Sequence, residues 1–154
     1  MLTDSVVTVR LILSVILGGL IGLERQMQRR AAGLRTHILV SLGSCLIMLT
    51  SQYVFVIYKD VTAIDPARIA AGIITGIGFL GAGAIIREKE EIKGLTTAAS
   101  LWVVSGIGLA VGVGFYNASF ITTILTLICL FILRKAEKRL LNKPNSKEEE
   151  YGPS

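Results

Sequence analysis

The chain has 154 residues, 52% of them hydrophobic, with a mean hydropathy of +0.65 and a formal net charge of +5. Its charges stand in blocks between long apolar runs, and Leu95–Leu133 contains no Asp, Glu, Lys or Arg; an ordinary soluble domain, which spreads charge along its surface helices, is excluded. The bases flank apolar runs and are not interleaved with aromatic residues, so membrane orientation explains the pI near 9.5 better than a nucleic-acid surface does.

The first apolar run predicts a membrane span over residues 6–23. Asp4 and Arg10 precede and interrupt it, no A-x-A site follows, and ERQMQRR comes next, so it reads as a retained span and not a signal peptide. Arg10 is then expected to snorkel to the interface. The loop GLERQMQRRAAGLRTH, Gly22–His37, carries Glu24 beside several arginines. It predicts a cytoplasmic polar surface of Glu24, Arg25, Arg35 and Thr36, serving as a charged anchor for acidic lipid or as a docking surface. His37, the single histidine, makes no metal cluster and is expected at the interface.

A second span is predicted over 38–58, and a third over 69–86. Asp65-Pro66 offers the third an N-cap and a proline at the first helical position. Within the third span stand Gly72, Gly76, Gly78, Gly81 and Gly83. Gly76-x-Gly78-x-x-Gly81 matches a dinucleotide fingerprint literally, but no strand precedes it and it lies inside a span, so that reading is rejected. The glycines predict close helix packing, within the bundle or across an oligomer interface. A sharper alternative is a helix broken at the glycines whose freed carbonyls line an ion path. Packing is favoured because no acidic residue lies at mid-membrane, and Gly18, Gly22, Gly108 and Gly112 repeat the small-residue spacing.

Arg87 and Glu88 begin a second basic loop, added to the cytoplasmic polar surface. The uncharged stretch Leu95–Leu133 would as one helix be about 58 Å long, against a hydrocarbon thickness of about 30 Å. It therefore predicts two spans, 95–113 and 117–133, separated by a turn at Gly112, Gly114 and Asn117 with Phe115 and Tyr116 as interfacial anchors. Thr96 and Thr97 are candidate caps of the fourth span. Trp102, about 10 Å along that span, is expected to pack inside the bundle. Residues 135–154 read as a basic helical extension that becomes a disordered tail, with no room for a second folded domain. Cys45 and Cys129 lie in apolar runs and read as small hydrophobes.

These expectations describe an all-α integral membrane protein, a five-helix transmembrane bundle. Thirteen of the Lys and Arg fall on one side of it and three on the other. The positive-inside rule puts the N-terminus outside and the C-terminus inside, as an odd number of spans requires. No catalytic constellation, cofactor motif or metal cluster is found; Asp60 or Asp65 in the outer loop offers at most a loose contact for magnesium.

GLERQ at Gly22–Gln26, AGLRTH at Ala32–His37, DPARIAAGIITGIGFLGAGAIIRE at Asp65–Glu88 and GLTTAASLW at Gly94–Trp102 together resemble the MgtC/SapB family in order and spacing over residues 6–134. The resemblance implies a bacterial inner-membrane protein with five spans, tied to magnesium homeostasis and growth at low magnesium. Members look like modulators of other membrane proteins, with the proton-translocating ATP synthase one proposed target. The motif positions carried onto this chain are Glu24, Arg25, Gly33, Leu34, Arg35, Thr36, Asp65, Arg68, Gly76, Gly78, Gly81, Gly83, Gly94, Thr97 and Trp102. The implied partners are membrane lipids, another inner-membrane protein and further copies of the chain, with no nucleic acid. Two other functions compete: a transporter or channel for magnesium or another small solute through the third span, and a lipid-binding membrane scaffold.

Overall fold

The computed structural model describes residues 2–61, 65–88 and 91–141, with side chains described through residue 135. Five helices follow one another: α1 (Asp4–Met27), α2 (Leu34–Tyr58), α3 (Pro66–Gly83), α4 (Leu95–Val113) and α5 (Tyr116–Leu141). Each is long and apolar enough to cross a membrane, and large apolar side chains such as Ile12, Ile16, Leu39, Phe79, Ile124 and Phe131 face outward. A surface of that kind needs lipid around it. The chain is a multi-pass membrane protein.

At the centre stand α1, α2 and α4; α3 leans on α4 and α2, and α5 on α4 and α1. The core joins Leu17 and Ile21 of α1, Cys45 and Leu49 of α2, and Val104, Ile107 and Val111 of α4. These positions recur at three- and four-residue intervals, so each helix turns one stripe inward.

Glycine determines how close those stripes come. His37, Ser41 and Cys45 form one row on α2, spaced four apart. On one side the row meets α1, where a Cβ added at Gly18 would stand 2.6 Å from Ser41 Cβ, and one at Gly22 would stand 2.9 Å from His37 Cβ. On the other side it meets α4, where a Cβ at Gly108 would overlap the Ser41 carbonyl oxygen and one at Gly112 would stand 2.8 Å from the Cys45 carbonyl oxygen. Backbone lies against backbone on both faces of α2.

The third span differs from one or other of its sequence readings in three ways. Helix α3 is continuous from Pro66 to Gly83, with no break to free carbonyls for an ion path. Gly72, Gly76, Gly78 and Gly83 meet nothing within 4 Å of an added Cβ, and Gly81 makes only ordinary contact, 3.7 Å from Ala98 Cβ. Close packing inside the chain falls to Gly18, Gly22, Gly108 and Gly112 instead. The span also lies about three residues earlier than predicted, because Asp65 caps it through Oδ1, accepting from Ala67 N–H at 2.8 Å, and Pro66 starts it.

Other corrections are local. Arg10, expected to snorkel to the interface, has protein partners: its guanidinium donates to Tyr116 Oη at 3.1 Å, Gln52 Oε1 at 3.0 Å and the Gly112 carbonyl at 2.7 Å. Trp102 does not pack inside; it is 53% exposed, because its neighbour Leu101 occupies the buried stripe and the next residue lies about 100° round the helix. Thr96 and Thr97 do not cap α4. Its N-cap is Gly94 at φ +94°, without a side-chain cap, where a Cβ would overlap the Ala84 carbonyl oxygen.

Before that glycine, what was expected as a loop contains a short antiparallel pair, β1 (Ile86–Glu88) and β2 (Glu91–Lys93), with Arg87 opposite Ile92. The turn after α4 is at Gly114, φ +95°, whereas Gly112 is helical and Asn117 already belongs to α5. Residues 142–154 of the expected tail lie outside the described residues.

The two sets of glycines make opposite predictions. Gly108→Ala forces a methyl group into the α2 backbone and is expected to cost at least about 3 kcal/mol, at the upper end of overpacking penalties. Gly76→Ala meets open space and should be neutral or stabilising by up to about 1 kcal/mol through helix propensity. Thermal unfolding in detergent reads both; equal losses would contradict the packing described.

Candidate functional site

Part of the motif, Glu24, Arg25, Gly33, Leu34, Arg35, Thr36, Gly94 and Thr97, lies at the end of the bundle where α1 finishes and α2 and α4 begin, whereas Asp65 and Arg68 stand at the other end, where α3 begins. Gly22 lets the start of α2 close on the last turns of α1, which turns Glu24 and Arg25 inward. Arg25 Nε donates to Glu24 Oε2 at 2.6 Å, with the two side chains 2% and 6% exposed. Glu24 Oε1 is buried and has no partner among the described residues. The chain turns at Arg29, φ 53°, and Gln26 Oε1 then accepts the Leu34 N–H at 3.3 Å, tying the end of α1 to the start of α2.

His37 completes the cluster. Its Nδ1 lies 2.9 Å from the Gly33 carbonyl oxygen and its Nε2 3.0 Å from Ser100 Oγ. With Nδ1 protonated and donating to Gly33, Nε2 accepts from the Ser100 hydroxyl. Ser100 also has the Thr97 carbonyl at 2.8 Å, so two acceptors compete for one proton. Helices α1, α2 and α4 are thus joined by polar contacts as well as by glycines.

Burial corrects the expected cytoplasmic surface. Glu24 and Arg25 are an internal ion pair, and His37 is buried beside them among the helices. Arg35 and Thr36 are exposed, as are Arg87 and Glu88 on the β hairpin. Glu88 shares its carboxylate with Lys93 across the strand pair.

Arg35 and Thr36 also stand at one end of a groove between α2 and α3. Its volume is about 580 Å³, and Leu39, Gly43, Ile47, Gly72, Gly76 and Leu80 line it lengthwise. Among the described residues, no carboxylate lines this groove. The absence of side chains at Gly43, Gly72 and Gly76 is what opens it.

At the opposite end, Asp65 is occupied by its capping bond and Ser51 Oγ donates to the Pro66 carbonyl at 3.0 Å. Asp60 and Arg68 are exposed. Among the described residues, no three His, Cys, Asp or Glu gather closely enough to share a metal ion.

Sequence reasoning missed Ser100, the Ser44–Ser105 hydroxyl pair at 2.9 Å, and Gln52 as a partner of Arg10. The signal was present as polar residues inside apolar spans, which need partners wherever water is excluded.

The sequence profile of the MgtC family matches residues 11–139. The Escherichia coli K12 protein named "Putative magnesium transporter YhiD" is 46% identical over 137 residues, 88% of this chain and 64% of that protein. "Protein MgtC" of Salmonella typhimurium LT2 is 43% identical over 140 residues, 91% of this chain and 58% of its own length. An uncharacterized Haemophilus influenzae protein is 37% identical over 142 residues, covering 84% of this chain and 60% of itself. The chain thus spans about three-fifths of the length of these curated relatives. No solved structure matches it.

The buried cluster predicts a graded response. Arg25→Ala leaves Glu24 as an unpaired buried charge and should cost about 3–5 kcal/mol. Ser100→Ala orphans one nitrogen of His37 and should cost about 1–3 kcal/mol, whereas exposed Arg35→Ala should stay within about 0.5 kcal/mol of the parent. Protease resistance and melting in detergent order the three; Arg25→Ala melting with Arg35→Ala would dissolve the cluster as a stabilising unit.

Proposed function

Since this chain belongs to the MgtC family, we propose that it serves magnesium homeostasis in the bacterial inner membrane, supporting growth at low magnesium by modulating a partner membrane protein such as an ATP synthase or a transporter. The reading is non-enzymatic. The observation that carries it is the α2–α3 groove: apolar, open along its length, lined by glycines, and bordered at one end by exposed Arg35 and Thr36. Small-residue surfaces of this kind let another helix approach closely, and a neighbouring arginine adds a polar contact where that helix leaves the bilayer.

Carriage of magnesium by the chain itself is less well supported. Magnesium gives up its waters reluctantly and takes oxygen ligands, yet among the described residues no carboxylate lines the groove and the carbonyls of continuous α3 are engaged within the helix. Glu24 is the buried carboxylate among the described residues, and Arg25 already holds it. The name of the Escherichia coli relative favours the transporter reading for that protein, so the two readings need a direct test.

Arg35→Ala should abolish low-magnesium growth while early magnesium uptake by cells stays unchanged. Saturable magnesium uptake into liposomes containing only this chain would replace the modulator with a transporter.

The accompanying orientation has the N-terminus outside and the basic end of the bundle in the cytoplasm. Membrane-impermeant thiol reagents should label Val61→Cys in intact cells and Arg29→Cys only after permeabilisation, in a background with Cys45 and Cys129 replaced. Labelling of Arg29→Cys in intact cells would invert the topology.

A further inference from the structure

A second cavity lies between the end of α1, the start of α4 and the second half of α5. Its volume is about 160 Å³, and Arg25, Arg30, Thr96, Cys129, Leu133 and Arg134 line it. Three arginines line one small space, and among the described residues no carboxylate lines it. Gathering like charges beside apolar walls is unfavourable unless something negative joins them.

Glu24 supplies only part of that compensation. It takes Arg25 Nε, and the rest of the Arg25 guanidinium has no other partner among the described residues. At 2% exposure, Arg25 is held in place and is not a side chain sweeping through solvent. The start of α4 adds to the field. Gly94 provides no side-chain cap, so first-turn N–H groups of a 19-residue helix stand without a side-chain acceptor beside Thr96, where the helix dipole is positive.

We propose that this cavity binds a phosphate-class oxyanion. The guanidinium fork matches tetrahedral phosphate oxygens in a bidentate way, and the space far exceeds the ~30 Å³ of one water molecule. The same chemistry is offered by the headgroup of an anionic phospholipid and by free inorganic phosphate. This site is independent of the partner-modulation reading, which rests on the other groove.

Charge anchoring alone makes a different prediction, and Arg29 separates the two. Arg29 is exposed and adjacent to Arg30 in the chain, yet it does not line the cavity. As an interfacial anchor it is equivalent to Arg30; as a ligand it is not.

The test uses the full chain in maltoside detergent, which carries no phosphate. Isothermal titration with inorganic phosphate forms one arm, and native mass spectrometry with phosphatidylglycerol against phosphatidylcholine forms the other. One bound phosphate group per chain is expected, with Arg30→Gln and Arg134→Gln each weakening binding about tenfold, the loss of one charge-assisted hydrogen bond, and Arg29→Gln changing it less than about twofold. Saturation by inorganic phosphate assigns a soluble ligand; selective retention of phosphatidylglycerol without it assigns the lipid. Arg30 and Arg134 are not buried, so their variants keep the fold, which unchanged melting without ligand verifies. Failure to bind either probe, or an Arg29→Gln loss equal to that of Arg134→Gln, overturns the site.

Discussion

In a bilayer, helices gain nothing by hiding apolar side chains from lipid, so their association has to come from closeness and polar contacts. Here that closeness is concentrated on one row of α2. His37, Ser41 and Cys45 are approached by Gly18 and Gly22 from α1 and by Gly108 and Gly112 from α4. Both glycine pairs have the same four-residue spacing as the row they meet, so the contact continues over more than one turn on each face. The remainder of the bundle is arranged around this three-helix centre: α3 and α5 occupy the flanks of α4 and leave most of their own surfaces to lipid.

Polar groups close the two ends of the same centre. At one end Arg10 of α1 gathers Gln52 of α2, the Gly112 carbonyl of α4 and Tyr116 of α5. At the other, Glu24 and Arg25 pair within α1, and His37 links the α2 start to Ser100 of α4. Each cluster spans several helices, and each supplies partners that lipid cannot. The glycine seam makes these clusters short enough to form; the clusters in turn fix the register along which the glycines meet.

The number of spans, their order and the Asp65 cap were legible because they rest on local chemistry: apolar run length, proline at a helix start and a carboxylate before it. What the sequence concealed was which glycines were crowded. Gly76 and Gly108 sit in equally small-residue-rich surroundings, yet only Gly108 faces a backbone, a property of the neighbouring helix and not of its own segment. Trp102 was misread for a related reason, since depth along a span says nothing about which side of it faces lipid. Glu24 and Arg25 looked like a surface because charge adjoining a span usually is one; their burial depends on Gly22 admitting α2. Arg35, Thr36, Arg87 and Glu88 are exposed as expected of a polar surface; only Glu24 and Arg25 are withdrawn from it.

Helix α3 has a further consequence in the order of synthesis. Most of its packing is against α4, which emerges after it, while α1 and α2 can zip together along Gly18 and Gly22 as soon as both are inserted. For the interval in which the β1–β2 segment is still being made, α3 therefore sits in the membrane beside a two-helix hairpin without the neighbour it mainly leans on. Biogenesis of this small bundle is therefore more than a succession of hairpins: its third member meets α2 first, and the larger part of its packing arrives only with its fourth.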